Sequence, residues 1–278
     1  MPQDEFKGLL SPTETRPRAA SPGLAPIIKD AFGLQTLLVF GALIQMTLFT
    51  VFPPYLAIIP ATLLALNALA TTGFQVLAHP SNRFMCPIIP GRTSAQLPDY
   101  QTGRHGRDPA SQPVVVFHFG ARFNHPLGAL APGARETLSR AVAMIRELSS
   151  SAGYARYGLL GMQRYRGDDG PSSNALLLVM YFRDLEGLRR FAHDETHRRA
   201  WDWLARSGHG HISAFHETFV VERGSWETVY LDCEPMLLGK AAVKADREDG
   251  KEEWVPTLVS ADHPSLKSMA KRMGREGT

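Results

Sequence analysis

The chain has 278 residues, of which 44% are hydrophobic, and its 30 basic and 27 acidic residues leave a formal charge of +3. This even balance, without a basic stripe or a nucleic-acid-binding motif, excludes a nucleic-acid-binding protein. The two cysteines, Cys86 and Cys233, fit no metal or redox spacing, and this favours a reducing compartment.

An uncharged hydrophobic segment near the N-terminus, residues 31–78, is predicted to form a two-helix hairpin that anchors the protein to a membrane. Its arms are Leu34–Phe52 and Tyr55–Ala78. Each is long enough to cross a hydrocarbon core of about 30 Å as a helix that rises about 1.5 Å per residue. Pro53-Pro54 separates the arms, and proline breaks a helix where a hairpin would turn.

Two buried helices of a soluble domain would have a similar composition, since Gln45 and Asn67 dilute the arms. Basic residues nevertheless flank the segment on both sides, Arg16, Arg18 and Lys29 before it and Arg83 and Arg92 after it. This distribution favours a hairpin with both ends in the cytosol. The predicted location is therefore a membrane, that of the endoplasmic reticulum if the protein is fungal, with the domain that follows the segment in the cytosol.

Three other segments have little apolar material to bury. Residues 1–30 are rich in proline, serine and charge and are predicted to be disordered. Residues 79–112 contain five prolines and several glycines, which is typical of a linker. Residues 239–278 have mixed charges and few large apolar side chains, and they are predicted to form a mobile tail.

The remaining residues, 113–238, alternate between predicted strands and helices. The strands are Val114–Phe119, Tyr157–Tyr165, Ala175–Phe182, Phe215–Val221 and a short Trp226–Leu231. One helix is predicted over Ala134–Ser149, and a second from an N-cap at Asp184 through Leu204. The order β-α-β-β-α-β predicts an α+β, ferredoxin-like domain. Its strands are apolar on both faces, so a partner subunit or a substrate is expected to cover the face without helices.

Five histidines fall within 24 residues: His193, His197, His209, His211 and His216. His193 and His197 are four residues apart on the second predicted helix, and Trp201 extends their face by one turn. The zinc-protease motif is not met, because glutamate is the second residue after His193 and not the first. A haem would need one axial histidine. Acid/base work or polar contacts in a pocket are favoured instead, because free imidazole titrates near pH 6.5.

Four further polar or aromatic side chains are candidates for the substrate pocket: His118, Asn124, Tyr165 and Tyr181. Each has a structural alternative, as a core histidine, a loop cap or a core aromatic. The sequence has no phosphate-cradling glycine loop, dinucleotide-binding glycine motif or nucleophile elbow. No nicotinamide or flavin is therefore expected.

Several short strings resemble one known family, the DUF4188 proteins of fungi and bacteria. The strings are His79–Phe84, Asn124–Gly128, His197–Trp201, His216–Phe219 and Trp226–Tyr230. Proteins of that family are similar to monooxygenases of the dimeric α/β-barrel superfamily, which also includes antibiotic-biosynthesis monooxygenases and some haem-dependent dehydratases. The resemblance covers roughly residues 30–238, and it is specific for the family but not for the reaction.

The resemblance implies a homodimer with a small-molecule cleft between sheet and helices in each subunit. It also implies a monooxygenase of secondary metabolism that epoxidises or hydroxylates a lipophilic terpenoid or polyketide with molecular oxygen, without metal or flavin. A cyclisation, isomerisation or dehydration in the same cleft, or a haem-dependent reaction, stays open. The predicted proton donors or acceptors are His197, His216 and Glu217. The predicted pocket residues are His118, Asn124, Tyr165, Tyr181, His193 and Trp201.

Overall fold

The computed structural model describes residues 4–17, 32–77, 82–167, 175–246 and 252–275. The chain forms two compact units. The larger unit combines Met1–Ser21 with Ile89–Thr278, and the smaller unit comprises Pro22–Ile88. The apolar segment therefore lies within the sequence of the larger unit, between two parts of it.

The described part of the smaller unit contains three helices: α1 (Leu34–Val51), α2 (Pro54–Ala57) and α3 (Ile59–Leu77). Proline occupies the first position of α2, where its missing N–H is no loss. Nε2 of Gln45 donates to the carbonyl of Ala57 over 3.1 Å, which joins α1 to this turn. The two predicted apolar arms are confirmed, with the second divided into α2 and α3.

No residue of α1 or α3 is buried within the chain. The polar groups of these helices are largely satisfied internally. Hydroxyls of Thr47, Thr62 and Thr71 donate to backbone carbonyls four residues earlier in the chain. By length and composition, Leu34–Val51 and Pro54–Leu77 are both able to cross a membrane.

The larger unit is built on a four-stranded antiparallel sheet. Its strands are β2 (Val114–Phe123), β3 (Leu159–Gly167), β4 (Ala175–Phe182) and β5 (Ile212–Val221). Their order in the sheet is β3-β4-β2-β5. The helices between them are α4 (Ala134–Ser149), α5 (Ser151–Tyr157), α6 (Leu185–Ala192) and α7 (Glu195–Arg206). This order and connectivity confirm the predicted ferredoxin-like α+β fold.

The helix predicted from Asp184 through Leu204 is two helices. Asp184 is the N-cap of α6 as expected, because its carboxylate accepts from the amide of Gly187 over 2.6 Å. The chain then leaves the helical conformation at Asp194, whose side chain caps α7 by accepting from the amide of Thr196. His193 and His197 are thus not one turn apart on a continuous helix.

The four helices cover one face of the sheet, and a hydrophobic core lies between the helices and that face. Alternate residues of β2 and β4 point to this face and meet apolar residues of the helices. The buried residues of this layer are Val115, Met144, Leu148, Tyr157, Leu159, Leu178, Met180, Phe182, Leu188 and Phe191.

The opposite face of the sheet is covered by this chain's own C-terminal residues over part of its area. The mobile tail predicted for residues 239–278 is not what the structure has. Ala242–Asp246 (β7) pairs with Glu252–Pro256 (β8), and Leu258–Ser260 (β9) follows. Val243 and Trp254 are almost fully buried against Leu160, Val179 and Tyr181 of the sheet and its core. The apolar residues of this segment are concentrated in these short strands, where they are buried together.

Two further segments predicted to be irregular are partly ordered. Within the predicted linker, Ile89–Ala95 forms β1, which pairs with β9 and with Tyr230–Cys233 (β6). Within the predicted disordered N-terminus, residues 4–17 form an arm that bridges to Val259 through Gly8 and to Trp254 through Thr13. Phe6 of this arm is buried against Val259 and Leu266. The rest of the predicted disordered segment, residues 1–3 and 18–30, lies outside the described residues.

Candidate active site

An apolar pocket of about 320 Å³ lies between the sheet and the helices of the larger unit. This volume is at the lower end of the range for small-molecule sites. The sheet and helices both contribute apolar side chains, among them Phe117, Phe119, Met144, Leu178, Leu188 and Phe191. The polar or charged side chains of the lining are Arg189, His197, His216 and Thr218. Such a site suits a largely hydrocarbon molecule with a few polar groups.

The strand pairing fixes which residues of β5 reach the pocket. Phe119 of β2 lies opposite His216, and Phe117 lies opposite Thr218. Paired residues of antiparallel strands point to the same face. The ring of His216 lies 5.7 Å from that of Phe117, measured between centroids. His216 therefore lines the pocket, and its predicted catalytic role stays a prediction.

His197, in the first turn of α7, is the second histidine of the pocket. Its ring packs edge-on to Phe191, with 5.4 Å between the ring centroids. Its Nδ1 atom is buried and has no hydrogen-bond partner in the part of the chain that the structure describes. Burial lowers the pKa of His197 below its ordinary value. Hydrogen bonding with the backbone of Ala192 raises this pKa, whereas the neighbouring His216 and His193 lower it further. His197 is thus neutral near pH 7 and able to accept a proton.

Trp201 lies one helical turn after His197 and also lines the pocket. Its side chain is 54% exposed, so it stands where the pocket meets solvent. The spacing of four residues on α7 places both side chains on the same helix face. The predicted pairing of His197 with Trp201 is what the structure has.

Glu217 does not reach this pocket. As the residue between His216 and Thr218 on a strand, it points to the opposite face of the sheet. There it pairs with His118, with 3.4 Å between His118 Nδ1 and Glu217 Oε2. His118 also contacts the ring of Phe219. The structure thus separates Glu217 and His118 from His197 and His216 by the thickness of the sheet.

The other predicted pocket residues also lie elsewhere. Asn124 closes the end of β2 by donating to Ser213 Oγ over 2.8 Å. His193 ends α6 and is exposed, although it affects the titration of His197. Tyr165 and Tyr181 pack in the core on the opposite face of the sheet, where burial raises the pKa of each. None of these four residues lines the pocket.

The cluster His125, His209 and His211 lies outside the pocket lining. Ring centroids are 5.1 Å apart for His125 and His211, and 5.5 Å apart for His209 and His211. His211 Nε2 lies 2.9 Å from the carbonyl of Pro132, and His125 Nδ1 accepts from the amide of Leu127. Among the described residues, no group of three histidine, cysteine, aspartate or glutamate side chains is arranged to hold a metal ion.

Sequence reasoning missed two polar residues of the pocket. Arg189 lines it from α6, together with Leu185, Leu188 and Ala192. Thr218 lines it from β5. The spacing 185, 188, 189 and 192 is that of one helix face, so the periodicity of α6 would have identified Arg189 as the single charged residue of an apolar face.

Fold and pocket together define a ferredoxin-like α+β domain with an apolar small-molecule site between sheet and helices. The sequence model of the family described as "Monooxygenase af470-like" matches residues 114–238. "Monooxygenase af470" of Aspergillus fumigatus is 41% identical over 274 residues, which is 98% of each chain. The chain belongs to this family of monooxygenase-like enzymes, as the resemblance of its motifs implies.

Solved structures share parts of the fold at low identity. The cofactor-independent oxygenase SnoaB of Streptomyces nogalater is 13% identical, with a TM-score of 0.27 over 39% of this chain and 91% of its own. An aldoxime dehydratase in complex with butyraldoxime is 16% identical, with a TM-score of 0.40. That match covers 66% of this chain and less than half, 43%, of the dehydratase.

Proposed function

We propose that this protein oxidises a lipophilic small molecule, a terpenoid or polyketide of secondary metabolism, with molecular oxygen in the pocket between sheet and helices. The observation that carries the proposal is the buried Nδ1 atom of His197, which has no hydrogen-bond partner among the described residues and lies at a mostly apolar cavity. An unpaired polar atom in an apolar site is costly unless a ligand satisfies it. The monooxygenase class of the family supports the use of oxygen.

His197 supplies the proton chemistry in this proposal. Its neutral imidazole accepts a proton from an activated C–H or O–H group of the bound substrate. The electron-rich anion that remains gives electrons to molecular oxygen, so the substrate itself acts as reductant. Oxidation of an activated methylene to a carbonyl balances in this way, because one oxygen atom enters the product and the other leaves as water.

The apolar lining has two roles. Phe117, Phe119 and Met144 bind a hydrocarbon skeleton by removing its surface from water, which is favourable by about 25 cal/mol per Å². They also keep water from protonating the anion before oxygen reacts with it. His216 faces the same cavity and is proposed to position the substrate or return the proton. Hydroxylation or epoxidation is included where the substrate or an added reductant supplies two further electrons.

Conversion of candidate substrates by the purified full chain, in air and under argon, tests the chemistry. We expect turnover in air only, and a loss of at least a hundredfold in His197→Gln, while His209→Gln, outside the pocket, matches the unaltered chain. An absorption spectrum and metal analysis of the same preparation test for haem. Equal conversion under argon would instead indicate a cyclase, isomerase or dehydratase.

The proposal places the protein on a membrane through α1 and α3. Both are free of formal charge, and neither has a buried residue. The arm at residues 4–17 and strand β1 belong to the same compact unit, and both contact β9. The chain on either side of the apolar segment must then lie on one side of the membrane. This favours a hairpin that enters and leaves from that side over a single span.

Single-cysteine labelling in sealed microsomes tests this topology. In a background without Cys86 and Cys233, we expect cysteines at Lys7 and Lys267 to react with an impermeant maleimide from outside the vesicles. A cysteine at Pro53 should react only after the membrane is permeabilised, or not at all. Protection of Lys7 with reaction at Lys267 would reject the hairpin.

A second copy of the chain is part of the proposal. The C-terminal strands cover the sheet near β3 and β4, whereas Phe215 and Phe219 of β5 stay 44% and 48% exposed on that same face. Aromatic side chains of this size are enriched at protein interfaces. Light scattering of the detergent-solubilised chain should give a dimer, and Phe219→Glu should give a monomer. A monomeric unaltered chain would contradict this part.

A further inference from the structure

The pocket has a charged side chain with no counterpart. Arg189 lines the cavity from α6, between the apolar residues Leu188 and Ala192 of the same helix face. Its guanidinium makes no ion pair or hydrogen bond with any residue in the described ranges. Among those residues, no carboxylate lines the cavity either.

Several other arginines of the helical layer form ion pairs with carboxylates. Arg140 pairs with Glu136 over 2.8 Å, Arg156 with Asp194 over 3.1 Å, and Arg199 with Glu195. Arg189 differs from these three because it lines the apolar cavity and has no ion-pair partner among the described residues. The pocket thus carries a permanent positive charge, to which protonation of either histidine only adds.

We propose that Arg189 is an anion-binding subsite, and that the natural substrate is a lipophilic carboxylate. This inference deepens the proposed function and rests on it. Guanidinium binds a carboxylate through two parallel N–H donors, which gives both strength and orientation. Because Arg189 is exposed at the edge of the cavity, the ion pair stays partly hydrated. The large cost of burying a charge pair is thereby avoided.

The subsite also orients the substrate. With its carboxylate held by Arg189, the apolar chain extends along Phe117, Phe119 and Met144. The cavity of about 320 Å³ has the size of a small-molecule site. The carbon presented to His197 is determined by its distance from the carboxylate.

Binding of a matched pair of probes tests the subsite. Decanoate and 1-decanol share a chain and differ in charge at pH 8. Titration calorimetry of the full chain in one detergent under argon measures both without turnover. We expect the unaltered chain to bind decanoate at least tenfold more tightly than decanol, since one charge-assisted ion pair separates them.

Three variants make the test specific. Arg189→Met should remove the preference and keep the affinity for decanol within twofold, and Arg189→Lys should keep part of the preference. Arg198→Met removes another exposed arginine, on α7 and outside the pocket lining, and should change neither affinity. Equal binding of both probes by the unaltered chain, or an undiminished preference in Arg189→Met, would overturn the subsite.

Different results would reject the anion-binding subsite and the oxygenase proposal. If decanoate binds with the expected preference but no candidate substrate takes up oxygen, the proposed function is wrong and the subsite stands. If neutral and acidic candidates are oxidised at equal kcat/KM, the subsite is wrong and the oxygenase stands.

Discussion

At the scale of single residues, His197 is partly buried, is neutral near pH 7, and has an Nδ1 atom without a hydrogen-bond partner among the described residues. Its lowered pKa follows mainly from burial, because the apolar pocket disfavours the imidazolium form. A base of this kind works over a wider pH range than a free histidine, since it stays unprotonated below the usual pKa of about 6.5. The hydrocarbon lining therefore contributes to catalysis by keeping the base in its active form.

The same shift affects stability. In the unfolded chain His197 binds a proton as the pH falls through about 6.5, whereas in the folded chain it binds one only at lower pH. The unfolded state thus gains more protons in this window, so acidification destabilises the fold. Urea denaturation at pH 7.5 and 5.5 should show a larger loss for the unaltered chain than for His197→Gln. Equal losses would show that the pKa is not lowered.

Two adjacent residues of β5 are predicted to differ sharply in function. His216 faces the pocket, whereas Glu217 faces His118 on the other side of the sheet. We expect His216→Gln to lower kcat/KM by tenfold or more and Glu217→Gln to leave it within twofold. Steady-state assays with one substrate decide between them. A larger loss in Glu217→Gln than in His216→Gln would contradict the assignment of faces.

At the scale of elements, the N-terminal arm depends on one arginine. Arg16 donates to the carbonyls of Leu148 and Leu159 over 3.1 and 2.5 Å. It also lies over the ring of Trp254, 5.2 Å from its centroid. Burial lowers the pKa of Arg16 to about 10, so the residue stays charged near neutral pH. These contacts explain how a proline-rich segment becomes ordered.

Removal of this arginine should release the arm. Arg16→Ala is expected to destabilise the larger unit by about 2 kcal/mol, the scale of hydrogen bonds to a charged group. It should also expose residues 4–17 to proteolysis, which mass spectrometry of the fragments measures. Lys7→Ala, at an exposed position of the same arm, is the matched control and should behave as the unaltered chain. Equal protection of the arm in Arg16→Ala would contradict this role.

The regular elements of the sheet are predictable because local pattern determines them. Ala134–Ser149 and Ala175–Phe182 are bounded as expected, since their apolar periodicity and flanking residues are local. The division between α6 and α7 is harder to predict, because Asp194 serves as an N-cap inside an otherwise helical pattern. The opposite facing of His216 and Glu217 follows from the alternation of side chains along a strand, and this alternation is visible in the sequence alone.

At the scale of the whole molecule, the least predictable features are the contacts between distant parts of the chain. The arm at residues 4–17, strand β1 and the C-terminal strands are each short. They become ordered because they pack on one another, around Trp254 and Val259. A short stretch of sequence does not show which distant segment it will pair with. The pocket is predictable only in part for the same reason, since α6 and β5 meet there from separate positions in the sequence.

The central claim, that oxygen enters the substrate in this pocket, is tested most directly by isotope labelling. The purified chain is supplied with ¹⁸O₂ and a lipophilic substrate that it converts, and the mass of the product is measured by mass spectrometry. One ¹⁸O atom per product is expected from the unaltered chain. His197→Gln should give little labelled product at equal substrate occupancy. Product formed at an undiminished rate without ¹⁸O would contradict this claim.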